Sequence, residues 1–446
     1  MLAPAIRSSQ HSVAHSRPSV LRPLRGCLRL PPQTSVLSRH NRQPPTRSCS
    51  FPVEQYLNLR AFSATTAYQR TRYLISEGRT TNPTKDDNTS NHPAPSPFYF
   101  ETGYSIFAKR PSRPFPPPFV SPPSGSFSEP LTQHNPPRGR RPYVNGQPLR
   151  GVTNGDDAII IGDANFIAVD DGVGAWAQKE RGHAALWSRL IAHFWAIEVE
   201  KSFQKEDVDI SDLDPIQSLE EAYAQTKAAL KGTLKDEDIA KDDREPAKPP
   251  PENKDGEPKV EPPGENDILG TTTASSALLH YKSSGSSPQP VILATTLGDC
   301  KVLIIRPSDK SVLYRSKEQW HWFDCPRQLG TNSPDTPLDN AVTDTVDIEP
   351  GDVVAVLSDG VTDNLWEHEI GDTISQCVEK WTSGQDEAKD GIVYVARTLM
   401  NAAREVAEDP NAESPYMERA FDEGIAAEGG KLDDISVVLG ICRKKE

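Results

Sequence analysis

Aspartate residues stand at the ends of apolar runs at four places along the chain, in patterns that suit metal binding. Asp171 and Asp359 each follow an apolar run and precede a glycine, and Asp433 stands just before the last apolar run. The pair Asp156 and Asp157 opens a predicted hairpin. Strand ends hold short side chains firmly, and carboxylates are the ligands that Mg²⁺ and Mn²⁺ prefer. If these carboxylates converge, their mutual repulsion requires bound cations.

The residues alone leave a second interpretation open. Asp-Gly pairs mark turns very often, so a turn explains any one of these sites without a metal. Gly172 favours the metal interpretation, because a glycine lets its backbone carbonyl approach an ion closely. Four such sites at strand ends favour a metal centre without deciding it.

The elements that would position these residues are clustered strands and clustered helices. Two short apolar runs flank the turn at 162–165, which predicts a hairpin. From Gly182 to about Phe203 the apolar residues recur at helical spacing. This clustering predicts an α+β fold rather than βαβ repeats. The other predicted strands are 98–107, 274–281, 291–296, 301–306, 353–357 and 435–441, and the other predicted helices are 216–230, 367–382 and 389–407.

Proline is concentrated outside the predicted folded part. The chain has 446 residues, of which 41 are proline and 35% are hydrophobic. Segments 111–148 and 231–266 are rich in proline, and the second is also highly charged, so we predict that both are inserts. We predict one folded domain over 97–446 that contains these inserts, after a disordered linker at 63–96. No stretch approaches 18 consecutive apolar residues, so we predict no transmembrane segment.

The N-terminus has the composition of an organelle transit peptide. Residues 1–53 hold eight arginines and no acidic residue, and residues 60–63 are typical of a mitochondrial processing site. We predict a transit peptide at 1–62 and a mitochondrial location, in the matrix. The alternative is a disordered basic tail or a nucleic-acid-binding arm. Residues 63–446 have 40 basic and 62 acidic side chains, a net charge of −22, which disfavours nucleic-acid and anionic-membrane binding.

The sequence blocks resemble the metal-dependent protein serine/threonine phosphatases of type 2C, the PPM family, and especially its mitochondrial branch. The blocks occur in family order over about 98–441, apart from the two inserts. They are residues 155–158, 170–176, 270–274, 297–299, 318–329, 358–364 and 431–436.

This resemblance implies a central β-sandwich of two antiparallel sheets, flanked by helices on both faces, with a metal centre at one end. Asp171 would bridge two Mn²⁺ or Mg²⁺ ions, and the Gly172 carbonyl would bind one of them. Asp359 and Asp433 would complete the direct ligands. Together the three aspartates would be catalytic, because two ions about 3.5–4 Å apart can activate a bridging water. The further implied ligands are Asp156 and Asp157, which would hold metal-bound waters, and Asp299 and Asp363, which match a weaker third metal site.

Two residues depart from the pattern of the wider family. Val152 replaces an arginine that grips phosphate, and Val173 replaces a histidine that is a candidate general acid. We interpret both as features of the mitochondrial branch. They leave phosphate binding and leaving-group protonation unassigned. His183 and His321 are the nearest candidates, although a lone histidine is usually structural.

We therefore predict a monomeric protein serine/threonine phosphatase that acts on phosphorylated mitochondrial proteins and binds no nucleic acid. One alternative is a pseudophosphatase that keeps the fold as a binding module. The presence of Asp171, Asp359 and Asp433 favours catalysis over that alternative. A phosphatase of small phosphorylated metabolites is the second alternative, and nothing in the residues excludes it.

Overall fold

The computed structural model describes residues 96–116, 119, 142–204, 208–231, 263–264, 267–283 and 287–445. All of them belong to one of the two units into which the chain divides, the unit from Phe62 to Glu446. The predicted transit peptide, nearly all of the predicted linker and the central parts of both predicted inserts lie outside the described residues.

Seventeen strands and seven α-helices make up the described part of the chain. The strands are β1 (Phe98–Phe107), β2 (Tyr143–Val144), β3 (Gln147–Pro148), β4 (Val152–Asn154), β5 (Asp157–Ile161), β6 (Phe166–Asp170), β7 (Thr271–Thr272), β8 (Ala274–Lys282), β9 (Gln289–Leu297), β10 (Lys301–Arg306), β11 (Ser311–Arg315), β12 (Trp320–Trp322), β13 (Cys325–Pro326), β14 (Leu329–Gly330), β15 (Val342–Asp347), β16 (Val353–Leu357) and β17 (Ile435–Lys444). The helices are α1 (Ala184–Ser202), α2 (Pro215–Leu230), α3 (Pro337–Asn340), α4 (Asp359–Thr362), α5 (Glu367–Thr382), α6 (Ile392–Ala407) and α7 (Pro415–Asp422).

Two antiparallel sheets lie at the centre of the fold. One has six strands in the order β15-β9-β8-β6-β5-β4, and the other has five in the order β1-β17-β16-β10-β11. The predicted hairpin forms as β5 and β6, in which Ala158 pairs with Asp170. Strand β17 lies between β1 and β16, so the last segment of the chain joins the first described strand to the centre of its sheet.

Alternating side chains of each strand build three apolar layers. On β16, Val354 and Val356 point between the two sheets, where they join Ile159 and Val169 of the other sheet. The intervening Val353, Ala355 and Leu357 pack on α5 and α6. The six-stranded sheet packs its outer face on α1 and α2. This period of two is the one expected of a strand buried on both faces.

These layers confirm the predicted α+β sandwich with helices on both faces. Several predicted bounds differ from the observed ones by one to three residues, and α6 begins at Ile392 rather than at residue 389. A short 3₁₀ turn ends at Ala388, and Gly391, with φ of 64°, stands directly before the helix. Strands β11 and β15 were not predicted; both are edge strands without a fully buried residue, and β15 has no apolar run. Within the described residues no helix is both long and apolar enough to cross a membrane.

Candidate metal centre

The strand ends that carry the predicted ligands meet at one end of the sandwich. Asp157 begins β5, and the partner of its neighbour Ala158 is Asp170, at the end of β6. In the other sheet, Leu357 at the end of β16 pairs with Val437 near the start of β17. Asp171 and Asp359 therefore leave their strands at the same end at which Asp433 precedes its strand.

Electrostatics shows that these carboxylates face one another. Burial raises the pKa of Asp171 well above its ordinary value, and the charges of Asp359, Asp157, Asp299 and Asp433 raise it further. Burial followed by neighbouring carboxylates also raises the pKa values of Asp157 and Asp299. Carboxylates placed in this way destabilise the charged forms of one another unless cations neutralise them.

Asp170 differs from its neighbour Asp171, which alone has the Asp-Gly pattern. Its side chain is fully buried, and burial raises its pKa well above its ordinary value. Neither of its carboxylate oxygens has a hydrogen-bond partner among the described residues. Asp170 pairs with Ala158 and follows Ala168 at the strand period of two, and both alanines lie in the layer that packs on α1. Asp170 therefore lies on the helix side of its sheet, outside the cluster that surrounds Asp171.

Glycines let the sequence blocks pack directly on one another at this site. A Cβ atom on Gly172 would collide with the carbonyl oxygen of Asp156, and one on Gly360 would collide with that of Asp434. Gly155 has φ of 62°, and a Cβ there would meet the carboxylate of Asp434. These three positions require glycine for close backbone approach.

Asp434 joins three segments rather than facing solvent. Its Oδ2 accepts a hydrogen bond from the backbone N–H of Asp156 at 2.9 Å, and its Oδ1 accepts one from the backbone N–H of Lys109 at 2.8 Å. Burial raises the pKa of Asp434 to about 6, although these hydrogen bonds oppose the shift. Its role in this structure is to fix the loops that carry the candidate ligands.

Two cations reach the cluster from the end of β1, and the sequence analysis missed both. The Lys109 ammonium forms an ion pair with Asp433 and lies 3.9 Å from Asp434 Oδ2. Arg110 forms an ion pair with Asp156. Burial lowers the pKa of Lys109, but the charge and hydrogen bond of Asp433, together with the charges of Asp434 and Asp171, outweigh it and hold the pKa above its ordinary value. The only sequence signal was a Lys-Arg pair directly after a predicted strand.

Two more cations lie at the other side of the cluster. Lys431 Nζ is 3.0 Å from Asp359 Oδ2 and 2.7 Å from Asp363 Oδ2. Arg419, on α7, also forms an ion pair with Asp363. Asp299 Oδ1 is buried and has no hydrogen-bond partner among the described residues.

The donor set fits divalent cations. The seven predicted carboxylates and Asp434 carry eight formal negative charges, and Lys109, Arg110, Arg419 and Lys431 carry four positive ones. Asp324, which also pairs with Lys431, adds a ninth negative charge, so an excess of negative charge remains that divalent cations would neutralise. As the described side chains are placed, no three Asp, Glu, His or Cys residues form a ready metal-binding group. Lysine ammonium groups lie among the carboxylates instead.

The two candidate histidines have structural partners. His183 caps α1, since its Nδ1 accepts a hydrogen bond from the backbone N–H of Leu186 at 3.2 Å. Its Nε2 lies 3.1 Å from the carbonyl oxygen of Pro114. His321 Nε2 lies 2.7 Å from the buried carboxylate of Asp335. Neither imidazole contacts the carboxylate cluster through these bonds.

Comparison with known proteins finds relatives among the type 2C phosphatases. No protein-family model matches the chain. A human protein described as "Protein phosphatase PTC7 homolog" is 33% identical over 182 residues, which cover 39% of this chain and 55% of that protein. An Arabidopsis thaliana protein described as "Probable protein phosphatase 2C 80" is 28% identical over 294 residues, which cover 66% of this chain and 55% of that protein. The resemblance to type 2C phosphatases is confirmed.

The chain spans about half the length of these type 2C relatives. Among solved structures, the photosystem II phosphatase PBCP aligns with a TM-score of 0.45 and 24% identity, over 64% of this chain and 91% of that one.

Proposed function

We propose that this chain is a metal-dependent protein serine/threonine phosphatase that hydrolyses phosphoserine and phosphothreonine in mitochondrial proteins. The observation that carries the proposal is the convergence of Asp157, Asp171, Asp359 and Asp433 at one end of the sandwich. Two bound Mn²⁺ or Mg²⁺ ions would supply Lewis acidity that activates water and neutralises the phosphate.

The chain's own residues would hold these ions and keep them apart. Asp171 would bridge them, with Asp359, Asp433 and the Gly172 carbonyl as further direct ligands. The glycine contacts described above fix the loops that carry these groups. Asp156 and Asp157 would act through bound water, which suits their positions beside Asp434 and Ser436.

In this proposal Lys109 and Arg110 bind the phosphate of the substrate, because Val152 stands where the wider family has a phosphate-binding arginine. Both side chains lie against carboxylates of the cluster, and the Lys109 backbone is fixed by its hydrogen bond to Asp434. Cationic side chains make short, charge-assisted hydrogen bonds to phosphate oxygens. Val152 itself is partly exposed on β4, at the edge of its sheet.

A phosphatase assay on the full chain tests the proposal. We expect turnover of a phosphothreonine peptide with Mn²⁺ or Mg²⁺ and none with a chelator. Lys109→Ala should raise KM for the peptide and the inhibition constant of inorganic phosphate about tenfold, roughly 1.4 kcal/mol, with a smaller effect on kcat. Lys301→Gln is the matched control, because Lys301 is a buried lysine paired with Glu318 and Glu367 rather than with the cluster.

Two results would contradict the proposal in different ways. Binding of the phosphopeptide without turnover at any metal concentration would identify a pseudophosphatase. Turnover of small phosphorylated metabolites but not of phosphopeptides would identify a metabolite phosphatase. Phosphoproteomics of a strain that lacks the protein would then name the substrates.

A further inference from the structure

Lys431 places its ammonium group against Asp363, one of the two carboxylates that the resemblance assigns to a third metal ion. Its Nζ donates hydrogen bonds to Asp324 Oδ1 at 2.9 Å and to Asp359 Oδ2 at 3.0 Å. It also lies 2.7 Å from Asp363 Oδ2 and 3.7 Å from Asp433 Oδ2. Four carboxylates from three separate segments, at Asp324, at Asp359 and Asp363, and at Asp433, therefore surround one amino group.

The backbone of Lys431 is fixed close to Asp363, which keeps its ammonium group within reach of that carboxylate. The Lys431 N–H donates to Asn364 Oδ1, and Asn364 Nδ2 donates to the Lys431 carbonyl, both at 2.9 Å. Asn364 is fully buried and also donates to the Gly360 carbonyl. The ring centroid of Tyr416 lies 5.2 Å from Nζ and covers the ammonium from the α7 side.

Asp363, one of the two implied ligands of the third metal ion, is already paired with two cationic side chains. It contacts Lys431 and also forms an ion pair with Arg419. Arg419 lies against the ring of Trp320, which holds the guanidinium in place. A divalent ion needs carboxylate oxygens at about 2.0–2.2 Å, so an ion at Asp363 would have to displace both cations or bear their repulsion.

We propose that the Lys431 ammonium takes the place of a third metal ion, so that this chain binds two metal ions and not three. The proposal rests on the proposed two-metal centre. Lys431 acts as a positioning residue: it ties Asp359 to Asp363 and to the turn at Asp324, between β12 and β13. Its single charge offsets part of the repulsion without the water-activating power of a metal.

Counting bound Mn²⁺ on the full chain tests this proposal. Free Mn²⁺ is measured by electron paramagnetic resonance while the ion is titrated to saturation. We expect two ions per wild-type chain. Lys431→Gln, which removes the ammonium, should bind a third and weaker ion, and the double variant Lys431→Gln with Asp363→Asn should return to two. Lys301→Gln, the control that removes a buried lysine charge elsewhere, should keep two.

Each outcome decides the matter. Three ions on the wild-type chain would overturn the proposal and leave the phosphatase function intact. Two ions on a Lys431→Gln variant with native circular dichroism would also overturn it, because no metal position would have been released. If Lys431→Gln fails to fold, Asp363→Asn is the replacement test. It should bind two ions, as the wild-type chain does, because Asp363 holds no ion in this proposal. The loss of an ion from Asp363→Asn would contradict the proposal. A wild-type chain that binds no Mn²⁺ would refute the metal centre itself.

Discussion

Replacing Asp171 with asparagine should stabilise the metal-free protein and abolish the further stabilisation that metal ions give to the wild-type protein. Asp171 is the carboxylate whose pKa is raised by burial and by four neighbouring carboxylates. An amide keeps the shape of the side chain and removes its charge, so the repulsion is relieved. Relief of strain at a functional site commonly contributes about 0.5–2 kcal/mol to the free energy of unfolding. At about 2–4 °C per kcal/mol, the melting temperature of the metal-free protein should rise by a few degrees.

With metal ions added, the wild-type protein should have a higher melting temperature than Asp171→Asn, the reverse of the order without metal. Ions that bind only the folded state at a hundred times their Kd add about 2.7 kcal/mol per site. The wild-type protein should gain this stability, whereas Asp171→Asn, which lacks the bridging ligand, should gain little. Its kcat should fall more than tenfold, a loss above about 1.4 kcal/mol of transition-state stabilisation.

Asp170→Asn is the matched control, because it removes the adjacent carboxylate from a position outside the cluster. Differential scanning fluorimetry with chelator and with Mn²⁺, together with kcat, would compare the three proteins. Asp170→Asn should keep the metal-dependent shift and most of the activity. If Asp171→Asn keeps more than about a tenth of the wild-type kcat, the bridging role is wrong. A lower melting temperature for metal-free Asp171→Asn would show that the lysines already compensate the cluster.

Two further predictions concern the N-terminus and the core. Residues 1–62 fused to a fluorescent protein should enter mitochondria and be cut near Phe62. Replacing five of the arginines with glutamine should leave the fusion in the cytosol, because each positive charge gains about 2.3 kcal/mol per 100 mV when it crosses the membrane. Cytosolic fluorescence of the unmutated fusion would refute the mitochondrial location. His193 is buried, and its Nδ1 accepts a hydrogen bond from the Arg150 N–H at 3.0 Å. Burial lowers the pKa of His193 from 6.5 to about 4. Between pH 4 and pH 6.5, His193 therefore binds a proton more readily in the unfolded chain than in the folded one. The stability contributed by the neutral ring is complete above pH 6.5 and should fall by about 3 kcal/mol as the pH drops to 4. Denaturant unfolding should show this loss in the wild-type protein relative to His193→Gln, and parallel pH profiles would contradict it.

The sequence predicted the elements whose signals are local. Strands β10 and β16 have the predicted bounds, because each is a short run of buried branched residues between polar ones. Helix α5 likewise has the predicted bounds. Strand β15 was missed because its stability comes from pairing with β9 along an exposed edge, and no apolar run marks it.

The cations of the site were beyond local signals. Lys109 and its partner Asp433 are 324 positions apart, and Lys431 and Asp324 are 107 apart. Spacing along the chain therefore gives no hint of either ion pair. The separation of Asp170 from Asp171 agrees with the sequence pattern, in which only Asp171 precedes a glycine, and the end of β6 at Asp170 gives its physical reason.

A ligand set inferred from carboxylates alone overstates the number of ions that a site can hold. The aspartates of this site, taken without their neighbours, carry enough negative charge for three or four divalent ions. Lys109, Arg110, Arg419 and Lys431 cancel about half of that charge, and of these four only Lys431 belongs to one of the aspartate blocks. The Lys431 backbone is fixed on Asn364, next to Asp363, so its ammonium stays within reach of that carboxylate, whereas Lys109 and Arg110 lie on the side that we assign to phosphate binding. The positive charge of the site is thus divided into two parts. Lys431 and Arg419, at Asp363, limit the number of metal ions, whereas Lys109 and Arg110 are available to bind the phosphate of the substrate.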